Sequence, residues 1–190
     1  MKNSFHIIII VGLVLAGTAC KPPAVPKERG YFRIDFPEKQ YVSYSGDCPF
    51  SFDVPSYSKL LKSEEAHKPC WYNLDFTEYG ATIYLTYKAL NHDLFEHIED
   101  VRTLVYKHTI KADDIKEELL LRRKDKVYGI VYFIEGNTAS SLNFFATDST
   151  KHFLSGSLYF NTQPNRDSLQ PAISFFQQDI VHLLETLEWR

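Results

Sequence analysis

The sequence lacks the short motifs by which many enzyme families are recognised. It contains no G-x-S-x-G nucleophile elbow, no phosphate-binding P-loop, no H-E-x-x-H zinc motif and no G-x-G-x-x-G dinucleotide loop. His92 and His97 are its most closely spaced histidines, and a separation of five residues turns them to diverging sides of a helix. We therefore expect no metal site, no cofactor other than covalent lipid, and no enzymatic activity.

The chain also has no excess of positively charged residues. The chain has 21 Lys and Arg residues against 24 Asp and Glu residues, a net charge of −3. Nucleic-acid-binding domains carry basic patches and a high isoelectric point instead. We therefore expect no nucleic-acid partner.

The first twenty residues have the three parts of a secretory signal. Lys2 provides a positive start, an apolar run extends from Ile7 to Ala16, and the small residues Gly17 to Ala19 follow. The run is too short to span a bilayer, which takes about 20 residues, so residues 1–19 are expected to be removed. Cys20 then becomes the N-terminus, where we expect acylation. The alternative is ordinary cleavage that leaves Cys20 free.

The residues around the cleavage site predict a lipid anchor followed by a tether. Leu15 to Cys20 resembles a lipobox in which Gly17 replaces the usual large aliphatic residue. Lipid on Cys20 would hold the chain to a membrane, since each buried methylene contributes about 0.8 kcal/mol. Residues 20–30 contain three prolines, which favour an extended polyproline conformation. They are expected to form a lipidated, proline-rich tether.

Cysteine is scarce, with three residues in the chain. With Cys20 used by lipid, Cys48 and Cys70 remain, and an oxidising compartment favours one disulfide between them. Zinc binding is the alternative, but no C-x-x-C or H-x-x-x-H spacing accompanies the pair. A disulfide that closes a loop of about 23 residues would contribute ~3.4 kcal/mol in the chain-entropy model.

Residues 31–190 are expected to form a single α+β domain. Apolar residues at helical spacing predict helices at 91–107 and 169–188. Alternating apolar and polar residues predict strands. The predicted strands are 31–36, 50–54, 71–76, 81–88, 117–123, 127–134, 141–147 and 153–160. This order favours a mainly antiparallel, curved sheet with two helices, similar to the PsbP/Mog1-like sandwich.

Three polar segments are candidates for partner binding. One is the basic end of the first helix, which could receive an anionic group, and the other two flank the strand 153–160 and so lie at its opposite ends. The candidate side chains are Lys107, His108, Lys111, Asp148, Lys151, His152, Asn161 and Asn165. For the two loops the alternative is a pair of turns plus a helix cap at Asp167 or Ser168. The acidic pairs at 113–114 and 117–118 are interpreted as solvated charge in a short connector.

Six segments of the chain resemble the gliding motility-associated lipoprotein family GldD of Bacteroidetes. They are Arg29 to Pro37, Asp47 to Phe50, Pro69 to Trp71, Tyr106 to Asp113, Asp148 to Asp167 and the final Glu188-Trp189-Arg190. All three cysteines also have places in the family pattern. The resemblance implies a membrane-anchored lipoprotein that is needed for gliding and works with the type IX secretion machinery. It implies other envelope proteins as partners and no catalytic residue.

Two other functions remain open beside a non-enzymatic accessory acting by protein contact. A periplasmic small-ligand or peptidoglycan-binding lipoprotein would have a pocket lined by aromatics such as Trp71 and Tyr84. An enzyme would place His108 or His152 beside a carboxylate and a nucleophile in a cleft. Surface-exported lipoproteins of Bacteroidetes carry acids directly after the cysteine, whereas the first acid here is Glu28. We therefore expect a periplasm-facing protein of the cell envelope.

Overall fold

Ten strands and two helices make up residues 33–63 and 69–190, the part of the chain that the computed structural model describes. The strands are β1 (Tyr41–Tyr44), β2 (Phe50–Pro55), β3 (Lys59–Lys62), β4 (Tyr72–Phe76), β5 (Ala81–Ala89), β6 (Ala112–Arg122), β7 (Val127–Gly136), β8 (Ser140–Thr147), β9 (His152–Phe160) and β10 (Glu188–Trp189). The helices are α1 (Leu94–Tyr106) and α2 (Arg166–Thr186). The predicted signal and tether, residues 1–30, lie outside the described residues.

The strands form two open antiparallel sheets. The larger has seven strands in the order β3-β4-β5-β9-β8-β7-β6, and the smaller has three in the order β1-β2-β10. Every pairing in both sheets is antiparallel. The prediction of an α+β fold with mainly antiparallel sheets and two helices is therefore confirmed.

The large sheet is covered on both faces, and consecutive residues of β8 show how. Phe144 packs with α2 and the small sheet, while Phe145 packs with α1, because successive side chains of a strand point to opposite faces. The α2 side holds the larger core, which includes Phe50, Phe52, Ile83, Leu142, Phe176 and Leu183. Each such side chain stabilises the fold by about 1.5–3 kcal/mol. Residues 33–63 and 69–190 thus form a sandwich with α1 outside one face of the large sheet.

The first predicted strand is wrong for the part that the structure describes. Residues 33–36 have no strand partner, and β1 begins only at Tyr41. The alternation of the sequence has a different cause: the Phe36 ring stacks on Phe175 of α2 with centroids 4.3 Å apart. Arg33 and Asp35 instead pair in solvent at 3.0 Å. The apolar residue of the pattern therefore packs on a helix and the polar residues point to water.

The end of the last helix also differs from the prediction. α2 stops at Thr186 because Leu187 adopts extended backbone angles, and the chain then forms β10. This short strand pairs Trp189 with Phe50 of β2. The start of the helix is capped by Asn165, whose side chain accepts the Ser168 N–H, and not by Asp167 or Ser168.

The acidic pairs predicted to lie in a connector belong to β6, which begins at Ala112. β6 is at one edge of the large sheet, and charged side chains are well tolerated on edge strands. Without a buried face along most of its length, the strand shows little of the alternation from which strands are predicted. The opposite edge, β3, was missed for the same reason, since its Lys-Leu-Leu-Lys sequence does not alternate.

Candidate functional site

One end of the large sheet brings together side chains from three distant parts of the sequence. We call Tyr87, Asp148, His152 and Trp189 the His152 cluster. The register of β5 and β9 places Ala89 opposite His152, so Tyr87 reaches the imidazole, and its hydroxyl lies 2.8 Å from Nδ1. The His152 ring stacks on the Trp189 indole with centroids 5.3 Å apart and an interplanar angle of 12°.

Asp148 fixes the loop that leads into the cluster. Its Oδ1 accepts the backbone N–H groups of Thr150, Lys151 and His152 at 3.0, 2.8 and 2.8 Å. Burial opposes the charge of Asp148, but these backbone hydrogen bonds outweigh it and lower the pKa of the carboxyl to about 2. Ser149 has a left-handed φ of 68°, which the turn requires. The loop is therefore a tightly bonded turn that sets the position of His152.

The ionisation of the cluster follows from its burial. Burial lowers the pKa of His152 below its usual range, although the Asp148 charge acts in the opposite direction. Burial raises the pKa of Tyr87. At neutral pH we therefore expect a neutral imidazole that shares a hydrogen bond with a neutral phenol, beside an indole.

Replacing Asp148 by alanine is expected to destabilise the protein by about 1–3 kcal/mol at pH 7, because backbone N–H groups lose their acceptor. The folded pKa of about 2 lies below the ordinary aspartate value of 3.8, so this stabilisation is present above pH 3.8 and is lost as pH falls toward 2. Urea unfolding of both proteins from pH 7 to pH 2 measures the gap. The exposed Glu188→Ala change serves as a control with a small effect, and a gap that stays constant with pH would refute the account.

Four of the segments that carry the family resemblance meet at this end of the sheet. The sulfur atoms of Cys48 and Cys70 lie at bonding distance, with Cα atoms 5.6 Å apart. Trp71 donates its indole N–H to the Tyr87 carbonyl at 2.9 Å, and the Arg190 N–H donates to the Pro49 carbonyl at 2.9 Å. Residues 47–50, 69–71, 148–152 and 188–190 thus form one continuous region.

The basic segment lies at the opposite end of the sheet. Lys107 and His108 belong to a 3-10 turn at the end of α1, and Lys111 follows it. Both lysines are exposed, while burial lowers the pKa of His108. Acids lie close by: Tyr106 of α1 donates its hydroxyl to Glu117 at 2.7 Å. Their charge offsets the positive potential that the sequence predicts for this helix end.

The remaining candidates belong to turns: Asn161 and Asn165 lie before α2, and Lys151 lies between β8 and β9. Asn165 caps the helix, as described above, and the Asn161 N–H donates to the Gly80 carbonyl at 2.7 Å. Lys151 is exposed, and its carbonyl accepts the Leu90 N–H. As expected, the loops that contain Asn161 and His152 lie at opposite ends of β9 and form no common site.

An open groove of about 640 Å3 lies on the sheet near Asn161. Its lining consists of Asp75, Thr77, Gly80, Thr82, Tyr84, Tyr159, Phe160 and Asn161. Tyr84 is 47% exposed and meets Tyr159 edge to face, with centroids 5.7 Å apart. Tyr84 thus lines a groove as the ligand-binding hypothesis expects, whereas Trp71 lies away from it beside Tyr87.

A buried charged cluster was missed in the sequence. We call Lys39, Tyr41, Tyr57 and Asp179 the Asp179 cluster. The Asp179 side chain of α2 is fully buried and accepts hydrogen bonds from Lys39 Nζ at 2.8 Å, from the Tyr41 hydroxyl at 3.0 Å and from the Tyr57 hydroxyl at 2.7 Å. Burial lowers the pKa of Lys39 and raises those of both tyrosines. The sequence does contain one signal for this cluster, because Asp179 is an acid within the apolar stripe of the predicted helix 169–188.

Neither a membrane-crossing helix nor a metal site is found in residues 33–63 and 69–190. No helix there is long and apolar enough to cross a membrane. No group of three or more metal-ligating side chains is present among those residues either.

Comparison with known protein families is decisive. The model of a family described as gliding motility lipoprotein GldD matches residues 21–189. The chain belongs to this GldD family. Members are lipoproteins, so the GldD-family chain is a membrane-associated protein of the cell envelope with a role in gliding motility.

Other comparisons concern relatives and structures. No curated protein sequence matches this GldD-family chain significantly. Among solved structures, the solution structure of cyanobacterial PsbP (CyanoP) from Synechocystis sp. PCC 6803 is similar, with 13% identity and a TM-score of 0.46. The match covers 79% of this chain and 92% of that chain. At this identity and score, nothing about function transfers from it.

Proposed function

We propose that this GldD-family protein is a non-catalytic accessory of the gliding and type IX secretion machinery, which acts by contact with other envelope proteins. The observation that carries the proposal is the region around the His152 cluster, where four segments of the family resemblance meet. Trp, Tyr and Arg dominate the energetics of protein interfaces. This end of the sheet presents Trp189, Tyr87 and the terminal Arg190.

The hydrogen bonds of the cluster favour recognition over catalysis. A general base needs an imidazole that is oriented by a carboxylate and free to take a proton from a nucleophile. Here Nδ1 of His152 is engaged by Tyr87, and Asp148 Oδ1 is engaged by the backbone amides of its own turn. The proposed role therefore uses no catalytic residue and no cofactor other than lipid on Cys20.

The proposed anchor places the protein on a membrane and facing the periplasm. Lipid on Cys20 and a proline-rich tether would leave the domain free to reach a partner. Phe36 packs on Phe175 and Lys39 binds Asp179, so the chain that follows the tether is fixed to α2. Any load on the anchor would enter the domain through this attachment.

A deletion strain tests the proposal by movement of single cells on glass. Wild type is expected to restore gliding, while Cys20→Ser is not, because the anchor is lost. Trp189→Ala is expected to abolish or strongly reduce gliding at a normal protein level measured by immunoblot. Ile110→Ala is the matched control, since Ile110 is 89% exposed at the opposite end of the sheet, and it should glide normally.

Each outcome has a distinct meaning. If Trp189→Ala glides like wild type, the contact surface lies elsewhere on the domain. If the deletion strain itself glides normally, the motility role fails for this protein. The groove beside Tyr84 would then favour the second candidate, a small-ligand or peptidoglycan-binding lipoprotein, because the exposed Tyr84 and the half-buried Tyr159 next to Asp75 suit a polar ligand with apolar faces.

A further inference from the structure

The strand β6 has a free edge. It pairs with β7 over Ala112–Arg122, and no other described strand pairs with it. Near its start, the Ile115 N–H donates to the Asp114 side chain at 2.9 Å and not to a strand. An eleven-residue edge with unused backbone donors and acceptors can pair with a further strand.

Apolar side chains lie exposed beside this edge. Leu119 is 74% exposed and Leu121 is 59% exposed. In the next strand, Ile130 is opposite Leu119 and Tyr128 is opposite Leu121, so the four side chains share one face of the sheet. Exposed leucines on an open edge are a liability unless something covers them.

The sequence of β6 is complementary to itself. When two copies pair antiparallel with Leu120 opposite Leu120, Leu119 of each copy faces Leu121 of the other. On the same face, Glu117, which also accepts the Tyr106 hydroxyl of its own chain, then lies opposite Arg123 of the second copy, the residue directly after β6, and this contact occurs twice. Opposite charges and apolar pairs directly across two strands are the contacts that stabilise a sheet.

We propose that β6 is the interface of a homodimer in which two large sheets join antiparallel about Leu120. The two-fold axis passes through the Leu120 pair, so the interface is isologous. On the opposite face Arg122 is already held by the Leu184 and Leu187 carbonyls. The choice of this pairing register is therefore determined mainly by the face of β6 that carries Leu119 and Leu121.

Neighbouring registers lose this complementarity. A shift that centres the pair on Leu119 places Glu117 opposite Leu121, and a shift that centres it on Leu121 places Leu119 opposite Arg123. Each of these shifts changes the register by two residues. A shift by one residue would place the Leu119 and Leu121 side chains of the two copies on opposite faces of the joined sheet, because the side-chain period of a strand is two. Only the register centred on Leu120 matches both the leucines and the charges.

A cysteine scan of the full chain in its native membrane tests the register. After mild oxidation, Leu120→Cys is expected to give a dimer band on a non-reducing gel, because the two thiols face each other. Lys116→Cys is the matched control on the same face of the strand. In this register its two copies lie about 27 Å apart, at roughly 3.4 Å per residue, and should stay monomeric. Equal cross-linking of the two variants, or none, would overturn the proposal.

A charge exchange tests the contacts independently. In the full chain purified in detergent, Glu117→Lys places like charges opposite each other twice, and Arg123→Glu does the same. Either change is expected to weaken the dimer about tenfold in sedimentation equilibrium. The double exchange restores opposite charges and should recover dimerisation. A monomeric wild type, or a double variant no better than the single ones, would contradict the interface.

Discussion

Replacing Asp179 by alanine is expected to lower the free energy of unfolding by about 3–5 kcal/mol, because a buried ion pair loses one partner. The Lys39 ammonium uses its three protons on Asp179, the Tyr57 hydroxyl and the Phe175 carbonyl, at 2.8, 3.0 and 2.9 Å. It also lies 3.2 Å from the centroid of the Phe175 ring. Without the carboxylate, this desolvated cation has no counter-charge, and two tyrosine hydroxyls lose their acceptor.

The reciprocal change breaks the same pair from the other side. In Lys39→Met the Asp179 carboxylate stays buried without its cation, and removing either partner of a buried ion pair costs about 3–5 kcal/mol. The deficit of this variant relative to wild type is therefore expected to be similar to that of Asp179→Ala at pH 7. Urea unfolding of the three proteins measures it.

Two further variants separate the ion pair from general damage. The double variant Lys39→Met with Asp179→Leu replaces the pair by apolar groups and should cost less than the sum of the single changes. Asp53→Ala is the control, because its ion pair with His182 is about 30% exposed on each side and contributes at most about 1 kcal/mol. An Asp179→Ala effect as small as that of the control would show that the cluster is not stabilising.

The Asp179 cluster also shows what sequence patterns omit. The helix at 169–188 was predicted from apolar residues at helical spacing, and Phe176, Ile180 and Leu183 of this apolar stripe in α2 are all fully buried. The same spacing places Asp179 inside the stripe, where it pairs with a lysine 140 residues earlier. Periodicity identifies which residues are buried, but a partner so distant in the sequence becomes visible only in the folded chain.

Strand prediction succeeded where one face is buried and failed where it is not. β5 and β9 were found because their buried residues alternate. β3 and the first half of β6 are exposed edges, so hydrophobic burial leaves no period in their sequences. For residues 33–36 the error was the opposite one: a strand was predicted where none exists, because their alternation reflects the packing of Phe36 on α2.

The candidate site was predicted in pieces. His152 and Asp148 were identified from a polar loop for which a turn was the alternative interpretation, and Asp148 does form a turn. Tyr87 lies in the predicted strand 81–88, and nothing local indicates that its hydroxyl meets an imidazole 65 residues later. The assembly of the cluster depends on strand order, which the sequence pattern does not determine.

Removal of the link between Cys48 and Cys70 is expected to destabilise the protein by about 3.4 kcal/mol in the chain-entropy model. The two residues are 22 apart in sequence, and the link restricts the unfolded chain. For a protein of this size that is a fall in melting temperature of roughly 10 °C. Cys48→Ser, Cys70→Ser and the double variant should be nearly equal, because each change alone breaks the same bond.

Two controls make this result specific. Thiol reductant present during unfolding should lower wild type to the level of the double variant and leave that variant unchanged. Free thiols in the denatured wild-type protein, or an additive loss in the double variant, would show that the two cysteines act separately. Mass spectrometry of a non-reduced digest then checks the pairing directly.

The position of the link predicts a second effect, on the His152 cluster. Cys70 directly precedes Trp71, whose indole N–H donates to the Tyr87 carbonyl, and Cys48 precedes the segment that pairs with Trp189 through Phe50. Loss of the link loosens both supports at once. In the deletion strain, Cys48→Ser is therefore expected to reduce gliding more than its protein level falls. A reduction that only follows protein level would assign the link to stability alone.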